Sequence, residues 1–241
     1  LGLAPASFAA DHLLLDGGTL RTTATLALNE AHRGITVGAG GGAFETAAST
    51  TLTVESVITG GGVLTKEGAG TLIFNAVNTH TGTTTVNAGV LGGSGAVGGN
   101  LLVADGGTLA PGSNAGMFTV SGDLTVSSGG TLLMELGGTT PGSGYDQIIS
   151  SGALALDGIL EVALLGGFLP TVGQSFNLFD SDAVSGTFDT LNLPTLGGGL
   201  GWNTSQLYTT GILSVLSIRL PGDIDEDGDV DRRDTALFAR S

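Results

Sequence analysis

Cysteine is absent from the 241 residues, so the chain has neither a disulfide framework nor a thiolate site. Positive charge is scarce: 7 bases stand against 22 acids, and Lys66 is the one lysine. Such a chain cannot neutralise phosphates, which makes nucleic acid and anionic membrane poor partners. Proline numbers 6 beside 44 glycines, and no three-residue period accompanies them, which excludes collagen. No apolar run reaches the roughly 18 residues of a membrane-spanning helix. A sustained 3.6-residue apolar period is also missing, so helices are not expected to carry the core.

What remains is glycine set among leucine, valine and threonine. Frequent glycine beside frequent β-branched residues means many tight corners between many short strands. The clearest stretch is 60–91, GGGVLTKEGAGTLIFNAVNTHTGTTTVNAGVL. Its unit is Gly-x-Leu. The pairs Gly62/Gly70, Gly99/Gly107 and Gly122/Gly130 each stand eight residues apart, and Gly152/Gly158 is a shorter fourth pair. Glycine turns the corner, leucine starts a strand, and alternation puts Leu72 and Phe74 on one face with Ile73 on the other. A strand this short cannot bury its apolar face alone. Stacking the next copy on it can, so the pattern predicts a β-solenoid.

The 60–91 stretch resembles the autotransporter-associated β-strand repeat of bacterial surface and secreted proteins. The shared positions are Leu64, Lys66, Gly68, Gly70, Thr71, Leu72, Asn78, Thr79, Thr81, Gly82, Thr84, Val86, Gly89 and Leu91. His80 stands where that repeat usually has an aromatic. The resemblance implies an all-β fold, a right-handed parallel β-helix, in a secreted or cell-surface protein with a structural or adhesive role. A carbohydrate or other cell-surface ligand fits that role, and no membrane span is expected.

The organisation expected from sequence is a solenoid over 1–144, terminal strands or a β-cap over 145–220, and a separate tail over 221–241. The first residues, LGLAPASFAADHLLLDGG, lack the basic region and full apolar run of a signal peptide. They read as an internal loop entering the first turn of a longer chain. A cap is expected because an exposed last strand is an open template for pairing. Helix is expected only in the last dozen residues.

One constellation in the tail carries chemistry. Asp223, Asp225, Asp227, Asp229, Asp231 and Asp234 surround Gly228 with calcium-loop spacing. Ca2+ takes six to eight hard oxygens, and the loop needs glycine at its sharp turn. Asp223, Asp225 and Asp227 would give carboxylates and Asp229 its backbone carbonyl. Asp231 would act directly or through water, Asp234 would close the shell, and Val230 would pin the loop. An acidic run is ordinarily a solvated tail; six loop positions in register favour the cation. Asp rather than Glu at the twelfth position, and Pro221 in place of an entering helix, resemble the dockerin calcium loop. That likeness implies a following helix over 232–240 with Leu237 and Phe238 inward, and a protein partner reached through Arg232 and Arg233. Dockerins carry two such loops, and one is present here.

An alternative function is a carbohydrate-active enzyme, lyase or glycosidase, on the same scaffold. The acid pairs that could serve it are Asp180/Asp182 and Asp157/Glu161, at ordinary turn and strand positions. His12, His32 and His80 are scattered, and Ser181 beside Asp182 has no histidine near it in sequence. No catalytic residues are assigned. Leu72 and Phe74 are expected in the core and Thr83 and Lys66 in water, so alanine should cost about 2–5 kcal/mol at the first two and much less at the others.

Overall fold

A computed structural model describes residues 3, 5–30 and 32–218. The chain coils through three-sided turns. The first turn holds β1 (Ala9–Leu15), β2 (Gly18–Thr22) and β3 (Leu26–Leu28). The second holds β4 (Arg33–Val37), β5 (Gly42–Thr46) and β6 (Thr51–Val54), and the third β7 (Ile58–Gly60), β8 (Leu64–Glu67) and β9 (Thr71–Phe74). The fourth keeps only β10 (Thr84–Val86) and β11 (Gly89–Gly93) as strands. Then come β12 (Ala96–Val97), β13 (Leu101–Val103) and β14 (Gly107–Pro111), followed by β15 (Met117–Val120), β16 (Leu124–Val126) and β17 (Thr131–Leu136). In the next turn two sides merge into the long β18 (Gln147–Leu156), and β19 (Ile159–Leu164) completes it. After β20 (Ser175–Asn177) leaves for the cap, β21 (Phe179–Gly186) and β22 (Thr190–Asn192) form the last turn.

Neighbouring turns pair in parallel throughout. One side is an eight-stranded sheet in the order β3-β6-β9-β11-β14-β17-β19-β22, each strand a turn above the last. A ten-stranded sheet and a three-stranded sheet form the other sides. The chain is therefore a parallel β-solenoid, as the glycine pattern predicts. The eight-residue step between Gly-x-Leu units is the step from one side to the next, not the turn. Leu64 opens β8 and Leu72 lies in β9, Leu101 opens β13 and Leu109 lies in β14, and Leu124 opens β16 and Leu132 lies in β17.

The core is built from in-register columns. Leu26, Leu52, Leu72, Leu91, Leu109, Leu132, Leu160 and Leu191 stand directly above one another in the eight-stranded sheet. From Leu52 to Leu160 each is at most 1 % exposed, so each contributes about 1.5–3 kcal/mol of burial. Facing them, Leu64, Thr84, Leu101, Leu124 and Leu154 form one column, and Phe44, Lys66, Val86, Val103 and Val126 another. The glycines at the corners before Thr84 and Leu101 have a physical reason. A Cβ on Gly82 would collide with the Gly62 carbonyl one turn below, and one on Gly99 with the Gly82 carbonyl.

Lys66 corrects the sequence expectation. It is wholly buried, in the column between Phe44 and Val86. Its stem packs in the core while Nζ donates to the carbonyls of Glu67 at 2.8 Å, Gly68 at 2.7 Å and Ala88 at 3.0 Å. Burial lowers its pKa to about 8, against the opposing charge of Glu67.

Residues 145–218 contain both solenoid and cap. The parallel ladders run on through β22, and β20 pairs antiparallel with β24 (Ile212–Ser217), which also pairs with β23 (Leu200–Asn203). Phe176 on β20 is the hub. Its ring meets Tyr145 at 5.4 Å and Phe168 and Trp202 at 6.2 Å, edge to face. The Trp202 Nε1 donates to the Pro194 carbonyl at 2.8 Å. One further correction concerns helix. A single turn, α1 (Leu207–Thr210), interrupts what the sequence suggested was strand. It buries Leu207 and ends on Gly211 in the left-handed region, φ 72°.

The buried geometry of Lys66 sets an expected result. Lys66→Ala should cost about 2–5 kcal/mol in denaturant titration, like Leu72→Ala and Phe74→Ala, because it empties core volume and orphans three carbonyls. Thr83→Ala, at a half-buried position, should cost less than about 1 kcal/mol. A Lys66→Ala loss as small as that of Thr83→Ala would place the ammonium in water.

Candidate functional site

The Asn-Thr-His-Thr-Gly segment of the repeat takes the place of a strand in the fourth turn. Asn78 Oδ1 accepts a hydrogen bond from the Ile58 N–H at 2.8 Å, while the N–H groups of Thr79 and His80 donate to the Ile58 carbonyl. The polar segment thereby satisfies the edge of the turn below and leads into Gly82. His80 is fully buried, and its Nε2 lies 2.7 Å from the hydroxyl of Thr84. Thr84 is the polar member of a leucine column, so His80 supplies the partner its buried hydroxyl needs. Burial lowers the His80 pKa to about 4. This histidine is a core residue, with the bulk of the aromatic that is usual there.

Asp146 is a second buried polar group. Its Oδ1 accepts from the Gly116 N–H and its Oδ2 from the Glu135 N–H, both at 2.7 Å, tying the 112–116 loop to β17. Burial pushes its pKa up to about 7, the two N–H groups pull it back, and the Glu135 carboxyl adds to the rise. Corner side chains also bridge turns. Asp16 accepts from Gly40 N–H, Asn100 from Asp123 N–H, and Asp123 from Ala153 N–H.

The outer face of the eight-stranded sheet carries a groove of about 380 Å3, within the size range of ligand sites. Gly92 and Ala110 keep its floor low, Thr51, Thr53 and Thr71 offer hydroxyls, and Glu135 stands at one side. Burial raises the Glu135 pKa. The described cationic side chains are Arg21, Arg33 and Lys66. Arg33 and Lys66 are buried, and Arg21 pairs with Glu45 at 3.2 Å. The exposed surface of the described residues is thus acidic and hydroxyl-rich.

The acid pairs considered for catalysis do not converge. Asp180 and Asp182 are exposed on β21 in the ten-stranded sheet, while Glu161 is exposed on β19 in the eight-stranded one. Asp157 instead meets Asp189, whose pKa it raises by its charge and a carboxyl–carboxyl hydrogen bond. The Ser181 hydroxyl donates to the Ala183 carbonyl at 3.3 Å. His32 Nδ1 lies 3.2 Å from the Pro5 carbonyl. No group of three acids or histidines that could hold a metal occurs among the described residues. No helix among them is long and apolar enough to cross a membrane. Asp223, Asp225, Asp227, Asp229, Asp231 and Asp234 lie outside the described residues.

Sequence reasoning missed the buried roles of His80, Lys66 and Asp146. A signal for Lys66 was its place in a strand alternating with Leu64, which puts both side chains on the inner face. Asp146 had no such cue.

The comparisons agree with this geometry. Residues 64–92 match a family described as Passenger-associated-transport-repeat. That span runs from β8 through β11 and includes the polar Asn78–His80 segment and Lys66. The chain is also similar to an adhesin, the BmaC autotransporter of Brucella suis biovar 1 (strain 1330), 42% identical over 99 residues. Those residues are 40% of this chain and 3% of that protein, so the match is to a small part of a much longer relative. The repeat and the relative suggest a surface or secreted protein.

His80 gives this turn a pH signature. Between pH 6.5 and about 4 the unfolded chain binds a proton on His80 that the folded chain excludes. Stability should therefore fall as pH is lowered through that window, by up to about 3 kcal/mol. Asp146 acts oppositely: its raised pKa gives stability that is present below pH 3.8 and lost as pH rises through about 7. The two are separated by comparing urea midpoints of the parent with His80→Phe between neutral pH and about pH 4.5. The variant should lose less stability on acidification; parallel losses would put His80 in solvent.

Proposed function

We propose that this chain is a structural and adhesive segment of a bacterial surface or secreted protein: a β-solenoid that presents its outer sheet faces, with a calcium-binding loop in its tail. The observation that carries the reading is the unbroken stack of parallel turns, with repeat residues spent on core and corners, in a chain similar to an autotransporter adhesin. Such a scaffold is rigid along its axis, because each turn is bonded to the ones above and below. Function on it must be argued from a site. The acidic, threonine-rich exterior favours an uncharged or cationic surface ligand, a glycan or a protein, over nucleic acid or anionic lipid.

The enzyme alternative has less support. A glycosidase needs two carboxyl groups facing each other across a cleft, and the described acids are spread over different sides of the solenoid. Beads coated with the chain should be retained on host-cell or matrix surfaces, and polysaccharides incubated with it should stay intact. Protein-dependent release of reducing ends or unsaturated sugars would replace adhesion with catalysis.

The calcium loop rests on the spacing of Asp223, Asp225, Asp227, Asp229, Asp231 and Asp234 around Gly228. These like charges repel unless a cation sits among them. A tail of this kind also suits a protein partner at Arg232 and Arg233. Calorimetric titration should show one calcium site per chain, with weaker response to magnesium, which demands a tighter octahedral shell. Asp223→Ala combined with Asp227→Ala should abolish it. Undiminished binding in that double variant would reduce the loop to a solvated acidic end.

A further inference from the structure

The groove on the outer face of the eight-stranded sheet runs along the solenoid axis. Thr53, Ile73, Gly92 and Ala110 are in register from β6 to β14, and Leu133 follows on β17, beside the paired Leu132. This column faces outward because its chain neighbours Leu52, Leu72, Leu91, Leu109 and Leu132 face the core. It dips in the middle, where glycine and alanine lie between Ile73 and Leu133. Ile73 leans over the dip: a Cβ on Gly92 would come within 3.1 Å of its Cδ1. The 112–116 loop walls one side, since the same Cβ would lie 3.2 Å from the Gly112 carbonyl oxygen. From β9 through β11 and β14 to β17 the sheet advances about 14–15 Å.

Glu135 is the one ionisable residue lining the groove. It is half-buried, two residues past Leu133 and so on the same face of β17. None of the described cations lines the groove. Arg21 pairs with Glu45, Lys66 Nζ donates to core carbonyls, and Arg33 lies on β4 in the three-stranded sheet. The Glu135 carboxylate therefore has no counter-charge among the described residues, although burial disfavours its charged form. A partner's cation would provide one. No aromatic side chain lines the groove, so a sugar ring finds no stacking surface there. The backbone of this sheet is already paired from turn to turn, so an occupant is held by side chains and not as an added strand.

We propose that this groove takes an extended segment of a partner protein, with an arginine or lysine against Glu135 and small apolar side chains over Gly92 and Ala110. At about 3.3–3.6 Å per residue, some four residues fill the distance from Ile73 to Leu133. The hydroxyls of Thr53 and Thr71 are placed to bond the segment's backbone at the far end. The proposal rests on the adhesive reading above and gives it a place on the solenoid and a class of ligand.

The test is a titration of the full chain, methyl-labelled at isoleucine, leucine and valine, followed by nuclear magnetic resonance. The probes are blocked tetrapeptides of valine and alanine with arginine at either end, their glutamate counterparts, and a glucosamine trimer. An arginine peptide should shift the methyl signals of Ile73, Val90 and Leu133 and bind at least about tenfold more tightly than its glutamate counterpart. Glu135→Gln should weaken it at least about fivefold, and Ala110→Leu, which fills the dip from outside, should abolish it. Asp180→Asn removes an equal charge from the ten-stranded sheet and should leave binding unchanged. Silence at these methyls, equal affinity for arginine and glutamate peptides, or undiminished binding in Glu135→Gln overturns the proposal. So does a response to the glucosamine trimer alone, which gives the groove to a glycan. Retention of coated beads on matrix with the groove silent sinks the groove alone, and groove binding without retention sinks the adhesive reading alone.

Discussion

Close stacking of the polypeptide on itself is the constraint from which the rest follows. Parallel strands in adjacent turns lie about 4.7–4.9 Å apart, and the corners must fit within the same spacing. At Gly82 and Gly99 an added Cβ would strike the carbonyl of the turn below, so side chains are shut out of these corners. Gly89 meets a further condition: its φ is 68°, a conformation other residues adopt at a cost. With corners so fixed, each turn falls in register with its neighbours. A leucine then lies over a leucine from Leu26 to Leu191, although the number of residues in a turn changes along the chain. Length differences are absorbed in loops such as 112–116 and 137–146 without disturbing the columns.

Three of the polar residues inside the stack are tied into it by hydrogen bonds, although the buried Thr22 and Thr46 hydroxyls have no such partner. Lys66 hands its three donors to three carbonyls at a corner. Thr84 is served by His80. Asp146 uses both oxygens to join a loop to a strand. Each costs desolvation that an apolar residue would avoid, and each fixes a place where the chain departs from plain strands. Lys66 and His80 fall within the matched repeat, 64–92. The repeat thus encodes a turn with one side made of hydrogen-bonded segment rather than strand.

Much of this was legible in the sequence. Gly-x-Leu at a fixed step, with β-branched residues between, announces corners and short strands, and alternation correctly placed Leu72 and Phe74 inward. The fixed step is one side of a triangle and not the length of a turn, because turn length is set by loops that carry no period. Lys66, expected in water with Thr83, is instead inward as its alternation with Leu64 implies; a long stem with corner carbonyls in reach overrides the usual cost of burial. The cap was foreseen as strands, but α1 was not: four residues ending at Gly211 are too few for a helical period to show. The candidate calcium ligands are legible as a spacing, and lie outside the described residues. The groove on the outer sheet was not legible at all. It exists because Gly92 and Ala110 are small where Ile73 and Leu133 flank them, a relation between turns.

Stability in this solenoid is a matter of columns. That the turns stack in register around a leucine ladder is tested most directly by methyl–methyl nuclear Overhauser effects on leucine-labelled protein. Leu72 should show contacts to Leu52 and Leu91, Leu91 to Leu72 and Leu109, and Leu132 to Leu109 and Leu160. Contacts that skip a member of this series, or a direct effect between Leu52 and Leu132, would contradict the stacked order.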